Sequence, residues 1–373
     1  MEQSQCVSII FLSLQLLMHN GKSDLEGTNS MFAAKMIQTE YEQIFECINV
    51  NSQPSLRHPL LRDHIVQMRP TSFADSLDAD LKSKFSYEEV TINYIACPMG
   101  TVPILRNYGR NSTARSFKML KGYMQNEYKS TLHTVMVATL PATVHGSIAM
   151  ITVYEPNVGI STQPRYSGAV VQIQNGVDPH LYGDNHSHFE IAWSDNNHGC
   201  INLLCKGFVQ VSSQVAPRAI LNPASTINGT QYVIAVELCQ KRYLLSIMQD
   251  TVTGNWWLTY GNESHPVGYW PKELFSYLAD AANEIGWFGV VGAAHGESCP
   301  PMGSGEWPDE GEGKAAYFAE VKIVDERTNV VVPNLKDCVV QITDPKCYQV
   351  GRVNALDEGL HFYFGGPECP SAG

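Results

Sequence analysis

No run of Lys and Arg in this chain is long enough to cradle phosphate, and the formal net charge is −12 with a pI near 5.4. Nucleic acid is therefore excluded as a partner. No apolar run reaches the roughly 20 residues that a membrane-spanning helix needs; the longest, Cys6 to Met18, falls short. Close cysteine pairs are scarce: Cys200 and Cys205 stand together, and no second such pair exists. That one pair is either a disulfide clipping a hairpin or half of a metal knot, and the missing second pair favours the disulfide. Neither a Cys-His nor a Ser-His-Asp spacing stands out, and Met302-Gly303-Ser304-Gly305 is not a Gly-x-Ser-x-Gly elbow. There is no repeat of fixed period. Between Glu155 and Asp178 there is no Asp or Glu.

What is present suffices for a sizeable core: 373 residues, 44% of them hydrophobic, arranged as one large domain and a smaller piece. Cys6–Met18 has the length of a signal-peptide h-region, which predicts a leader over residues 1–22 and no membrane attachment after its removal. The alternative is a buried terminal helix, since Glu2 and the lack of Lys or Arg make a poor n-region. Four sequons, at Asn111, Asn185, Asn228 and Asn262, agree with a secreted glycoprotein. The expected destination is the extracellular space, a cell wall or an acidic vacuole-like compartment. Losing Cys6 with the leader leaves an odd number of cysteines, so at least one thiol is free or bridges another chain. Cys47 and Cys97 could be tied together, as could Cys347 and Cys369.

Residues 31 to 48 look helical, with Met31, Phe32, Ala33, Met36, Ile37, Tyr41, Ile44 and Phe45 as the apolar set. From about Lys118 onward the texture changes to short runs such as 131–137, 146–154, 168–173, 231–238, 242–248 and 316–323, separated by Gly, Pro and Asn-rich turns. Regular short strands predict an all-β fold, an antiparallel β-sandwich. One short helix is expected over Pro271–Glu284, with Leu274, Phe275, Tyr277, Leu278 and Ala281 on its apolar face.

The most informative stretch is Val177 to Val211. Leu181-Tyr182-Gly183-Asp184-Asn185 lies near its start and Gly199-Cys200-Ile201-Asn202-Leu203-Leu204-Cys205 near its end. It resembles the core of the plant neprosin family, secreted glutamic peptidases made with an N-terminal activation segment. The likeness continues through Gln249-Asp250, Gly254-Asn255-Trp256-Trp257-Leu258, Gly268-Tyr269-Trp270-Pro271, Cys347-Tyr348 and Phe364-Gly365-Gly366-Pro367. Upstream, His58-Pro59-Leu60-Leu61-Arg62-Asp63-His64 and Cys97-Pro98-Met99-Gly100-Thr101-Val102-Pro103-Ile104 resemble the activation segment. The resemblance implies an activation-like segment over 24–115 and a catalytic-like domain over 118–373. It also implies a proline-preferring endopeptidase descent and no cofactor.

Such an enzyme needs two carboxyls sharing a proton, one ionised to activate water and one protonated to polarise the carbonyl. Here the family positions depart. Counting back from Leu181 without gaps puts Gln172 at the first; a better side-chain match aligns 166–176 with the preceding family strand, so that the glutamate-bearing strand is deleted. The second falls on Val290 in Trp287-Phe288-Gly289-Val290-Val291. Substitutes are weak: Glu190 alternates with Phe189 and Ile191 and so faces away from them, and Glu297 follows His295-Gly296 in a loop. His180, His186 and His188 around Asp184 would suit zinc, but a glycan on Asn185 would crowd it, and no metal is expected. Groove aromatics remain in Tyr182, Trp193, Trp256, Trp257, Trp270 and Trp287, with core filling as the competing role. The reading is a catalytically degenerate neprosin homologue that keeps a groove for peptide or unfolded protein. The rivals are an acid peptidase using Glu190 or Glu297 and a polysaccharide- or wall-binding module.

Overall fold

The computed structural model describes residues 5–15, 33–41, 43–71, 88–89, 91–92, 95–106, 130–159, 165–175, 188–195, 198–201, 206–238, 241–260 and 266–371. Runs rich in Val, Ile, Thr and aromatic residues form the strands, and Gly, Pro and Asn form the turns. The chain is mostly β, and two largely antiparallel sheets enclose a shared core. In chain order the first sheet holds β1 (Gln5–Gln15), β2 (Ser130–Thr139), β3 (Arg165–Asn175), β4 (His188–Asp195), β5 (His198–Ile201), β6 (Glu284–Ala294) and β7 (Cys338–Ile342). Across the sheet they run β5-β4-β1-β3-β6-β2-β7, each neighbouring pair antiparallel.

The second sheet is built around Gly146–Thr152, Lys241–Gln249, Trp256–Thr259, Pro266–Trp270, Ala316–Val324 and Gly359–Gly365. Alternation along each strand sends one set of side chains between the sheets. Val135, Val137, Val171, Ile173, Trp287 and Val291 come from the first sheet and meet Ile151, Ile247, Trp257, Phe318 and Phe362 from the second. β6 is an apolar run buried on both faces, the pattern of a central strand.

Two helical expectations are corrected. Residues 33–49 form a hairpin, Ala33–Gln38 against Ile44–Asn49, which Thr101–Leu105 extends. Phe45 and Cys47 are both fully buried two residues apart, a strand period rather than a helical one, and the Cys47–Cys97 disulfide anchors the second strand. Over Pro271–Glu284 only Lys272–Leu274 is helical, as a single 3₁₀ turn. The core takes the backbone that a helix would use: Trp256 Nε1 donates to Leu278 O (2.7 Å) and Gln249 Nε2 to Ala279 O (2.9 Å). The expected leader stretch enters the first sheet as β1, and the Cys347–Cys369 bridge is present. Among the described residues Cys299 and Cys338 are free thiols.

Candidate functional site

The positions that should carry the carboxyl pair lie on one face of the first sheet, the face turned away from the shared core. Residues opposite one another in antiparallel strands share a face, so the register fixes the neighbourhood. Val290 on β6 stands across from Gly168 on β3 and Thr134 on β2, with Phe288 and Gly292 two residues to either side. Val290 and Phe288 are each 3% exposed, and a side chain at Gly292 would strike the Tyr166 ring. Among the described residues the neighbours across the strands and to either side are apolar or small, and none carries a carboxylate. Valine neither gives nor takes a proton.

Gln172 is buried on the same face but opposite Gly286, four residues along β3 from Gly168. At ~3.3 Å per residue that is about 13 Å from the Val290 row. Gln172 and Val290 are therefore not a facing pair. Glu190 on β4 is placed by register on the Val290 face, opposite Ile10, whose other neighbour is Val170. Three strand spacings lie between β4 and β6, about 14 Å sideways. Glu297 is in the loop beyond the end of β6, where its N–H donates to Ala294 O (3.0 Å). The structure does not bring these two acids to Val290.

The groove assignment needs correction for four tryptophans. Trp256, Trp257, Trp270 and Trp287 are all 0% exposed and belong to the core between the sheets. Trp287 Nε1 donates to Ser147 Oγ (3.0 Å), the Trp257 and Tyr269 rings lie 4.5 Å apart, and Trp270 meets Phe208 edge-on at 4.9 Å. Trp193 is placed on β4 opposite Val7, on the core-facing side. Tyr182, Cys205, His180, His186, Asp184, Asn111, Asn185 and Asn262 lie outside the described residues. The Cys200–Cys205 bridge does too, although the backbone of Cys200 is in β5. Asn228 is exposed in a turn, its N–H donating to Gly313 O (2.8 Å).

Sequence reasoning missed a built polar contact between the N-terminal segment and the sandwich. Gln53, 1% exposed, donates from Nε2 to Val50 O (2.8 Å) and Gln210 O (3.0 Å), and its Oε1 accepts from Gln210 N (2.9 Å). His64 Nε2 lies 2.8 Å from Tyr269 Oη, which also accepts from Gln67 N (2.9 Å). Asp250 is the centre: its Oδ2 accepts from Thr71 N (2.7 Å) and Gln67 Nε2 (3.0 Å), its Oδ1 from Val252 N (3.0 Å) and Thr253 N. Asn255 Nδ2 closes the network on Gln67 Oε1 (2.9 Å). The signal was available in part, because Gln249-Asp250 and His64 lie within the matched motifs.

This contact should loosen in acid. Burial alone would raise the Asp250 pKa, but its hydrogen bonds from Thr71, Gln67, Val252 and Thr253 outweigh that and hold it below the usual value of 3.8. A depressed folded value stabilises above the unfolded value and is lost as pH falls through the folded one. Burial also lowers His64, Glu273 opposing only in part, so protonation costs stability from about pH 6.5 downward. The protection factors of amides at residues 64–71, taken against the intrinsic exchange rate at each pH, should fall between about pH 6 and 2. Asp250→Asn should exchange faster at neutral pH, by the ~1.5–3 kcal/mol of hydrogen bonds to a charged acceptor, with a flatter acid response. An unchanged acid profile in that variant would remove Asp250 from the explanation.

A metal finds no complete ligand set among the described residues. His133, Asp344 and Cys369 offer atoms within 4.8 Å of one another, but the Cys369 sulfur is bound in the disulfide to Cys347. Two ligands remain, and burial pushes the His133 imidazole below its ordinary value.

Comparison with known proteins agrees with the motifs. Among solved structures, a beta-porphyranase from the human gut bacterium Bacteroides plebeius is 9% identical over 63% of this chain. This chain spans 62% of that structure, and the TM-score of 0.14 carries no argument. A model of the neprosin activation peptide matches residues 36–138, reaching into β2, and the neprosin model itself matches residues 157–367, more than half of the sequence. The chain belongs to the neprosin family.

Proposed function

We propose that this protein is a secreted, catalytically silent neprosin homologue that binds extended polypeptide without cutting it. The observation that carries the reading is the neighbourhood of Val290, where Thr134, Gly168, Phe288 and Gly292 supply no carboxyl. Glutamic-peptidase chemistry needs an ionised and a protonated carboxyl within reach of one water. The sandwich and the docked N-terminal segment are kept while the acids are not, which favours binding over hydrolysis. Two disulfides, Cys47–Cys97 and Cys347–Cys369, support an oxidising, secretory destination.

One observation favours a second reading, an acid peptidase with replacement carboxylates: position 190 shares the Val290 face. The wall-binding alternative loses support, because Trp256, Trp257, Trp270 and Trp287 are enclosed and offer no stacking platform. The test is digestion of a denatured, proline-rich protein between about pH 2 and 7, the range in which a carboxyl pair would share a proton. The expected result is an intact substrate that is retained on immobilised protein. Acid cleavage that a Glu190→Ala/Glu297→Ala variant loses would overturn the reading and assign those acids.

A further inference from the structure

β3 and β4 are consecutive in the chain, and two strands joined by residues 176–187 would ordinarily pair as a hairpin. They do not pair. Both run antiparallel to β1, so they are parallel to each other and one strand's width apart. Residues 176–187, which join them, lie outside the described residues. Gln5–Gln15 fills the gap from the far N-terminus, in register with eleven residues of β3 and eight of β4. The β4–β5 hairpin reaches the rest of the sheet only through this occupant among the described pairings.

The slot dictates what fits. Positions 7, 9 and 11 stand opposite Ile173, Val171 and Ala169, which belong to the core, and positions 8, 10 and 14 stand opposite Gln172, Val170 and Tyr166, all buried. The β3 residues beside an occupant are thus buried on both faces of the sheet, and a charge set next to either row would be costly. A Pro would also break a ladder on one side. The resident sequence, Gln-Cys-Val-Ser-Ile-Ile-Phe-Leu-Ser-Leu-Gln, contains no charge, no Pro and no Gly. We propose that the slot between β3 and β4 is a binding site for an extended, uncharged polypeptide strand of eight to eleven residues, with Gln5–Gln15 as the chain's own occupant. It rests on the binding reading above and gives that polypeptide its place and its chemistry. Removal of residues 1–22 vacates the slot for a strand of the same character.

The experiment is hydrogen exchange on the full chain, made without export so that residues 5–15 are retained. Segments 5–15, 165–175 and 188–195 are expected to be protected together. In an Ile9→Pro/Ile10→Pro variant, adjacent residues that bond to opposite neighbours lose their N–H groups, so both ladders fail. Protection should then be lost in all three segments and kept in 316–324 and 359–365. A synthetic peptide of residues 4–16 should restore it at 165–175 and 188–195, and the same peptide carrying Ile10→Asp should not. The proposal is overturned if 5–15 exchanges freely in the unaltered chain while 165–175 and 188–195 stay protected. It is equally overturned if the proline variant keeps its protection, or if the peptide restores nothing. Should the variant not fold, the pattern in the unaltered chain decides alone. Mass analysis of the peptide after incubation separates the two readings: a bound but cut peptide sinks catalytic silence and leaves the slot standing.

Discussion

Replacing Val290 with glutamate should yield a protein that unfolds more easily at neutral pH and hydrolyses nothing. Val290 is 3% exposed and faces Gly168 and Thr134, so the new carboxyl enters a buried place where no described strand neighbour is an acid to share its proton. Desolvation raises its pKa well above the ordinary ~4.3. The sign follows: below the unfolded pKa both states are protonated and no electrostatic cost exists. Above it the unfolded chain ionises first, and the cost grows until pH passes the raised folded value. Val290→Glu should therefore lose about 2–5 kcal/mol near pH 7.5 and markedly less near pH 3.5, measured by denaturant unfolding at both. An equal loss at both pH values would mean that crowding, not charge, sets the cost. Acid proteolysis gained by this single change would show that a partner acid does reach the site.

Trp287→Ala should be among the most damaging single changes in the sandwich. The indole is 0% exposed, packs between the sheets and donates to Ser147 Oγ at 3.0 Å. Truncation leaves a large cavity and takes away a hydrogen bond, a loss of about 3–5 kcal/mol. The denaturant midpoint should fall with little change in slope. If the variant kept its midpoint and lost affinity for polypeptide instead, Trp287 would belong to a groove and the core assignment would fail.

Much of the architecture was legible because short strands repeat at a regular spacing. That Val290 and Gln172 carry no carboxyl needed only the sequence, whereas Thr134 and Gly168 beside Val290 come from strands far away in the chain. The tryptophans were harder, since burial against a facing sheet depends on residues far away in the chain, as when Trp287 on the first sheet donates to Ser147 Oγ on the second. Pro271–Glu284 misled because its apolar spacing fits a helix, whereas Leu278 O and Ala279 O are taken by side chains of two strands, Trp256 and Gln249. Residues 6–18 read as a leader from their apolar length, and Gln5–Gln15 also pairs as β1; a central strand is likewise a continuous apolar run, which periodicity does not tell from a leader.

The side chain of Gln53 imitates, with one amide, the strand that would lie next to Val209–Gln210 at the end of the larger sheet. It gives that outer rim an acceptor and a donor where another molecule's backbone could otherwise attach. Release of the N-terminal segment would strip this cover and leave an open flank, the feature through which β-proteins associate and precipitate. The segment thus serves solubility as well as docking, and a chain trimmed of it should crowd into oligomers at concentrations the intact chain tolerates.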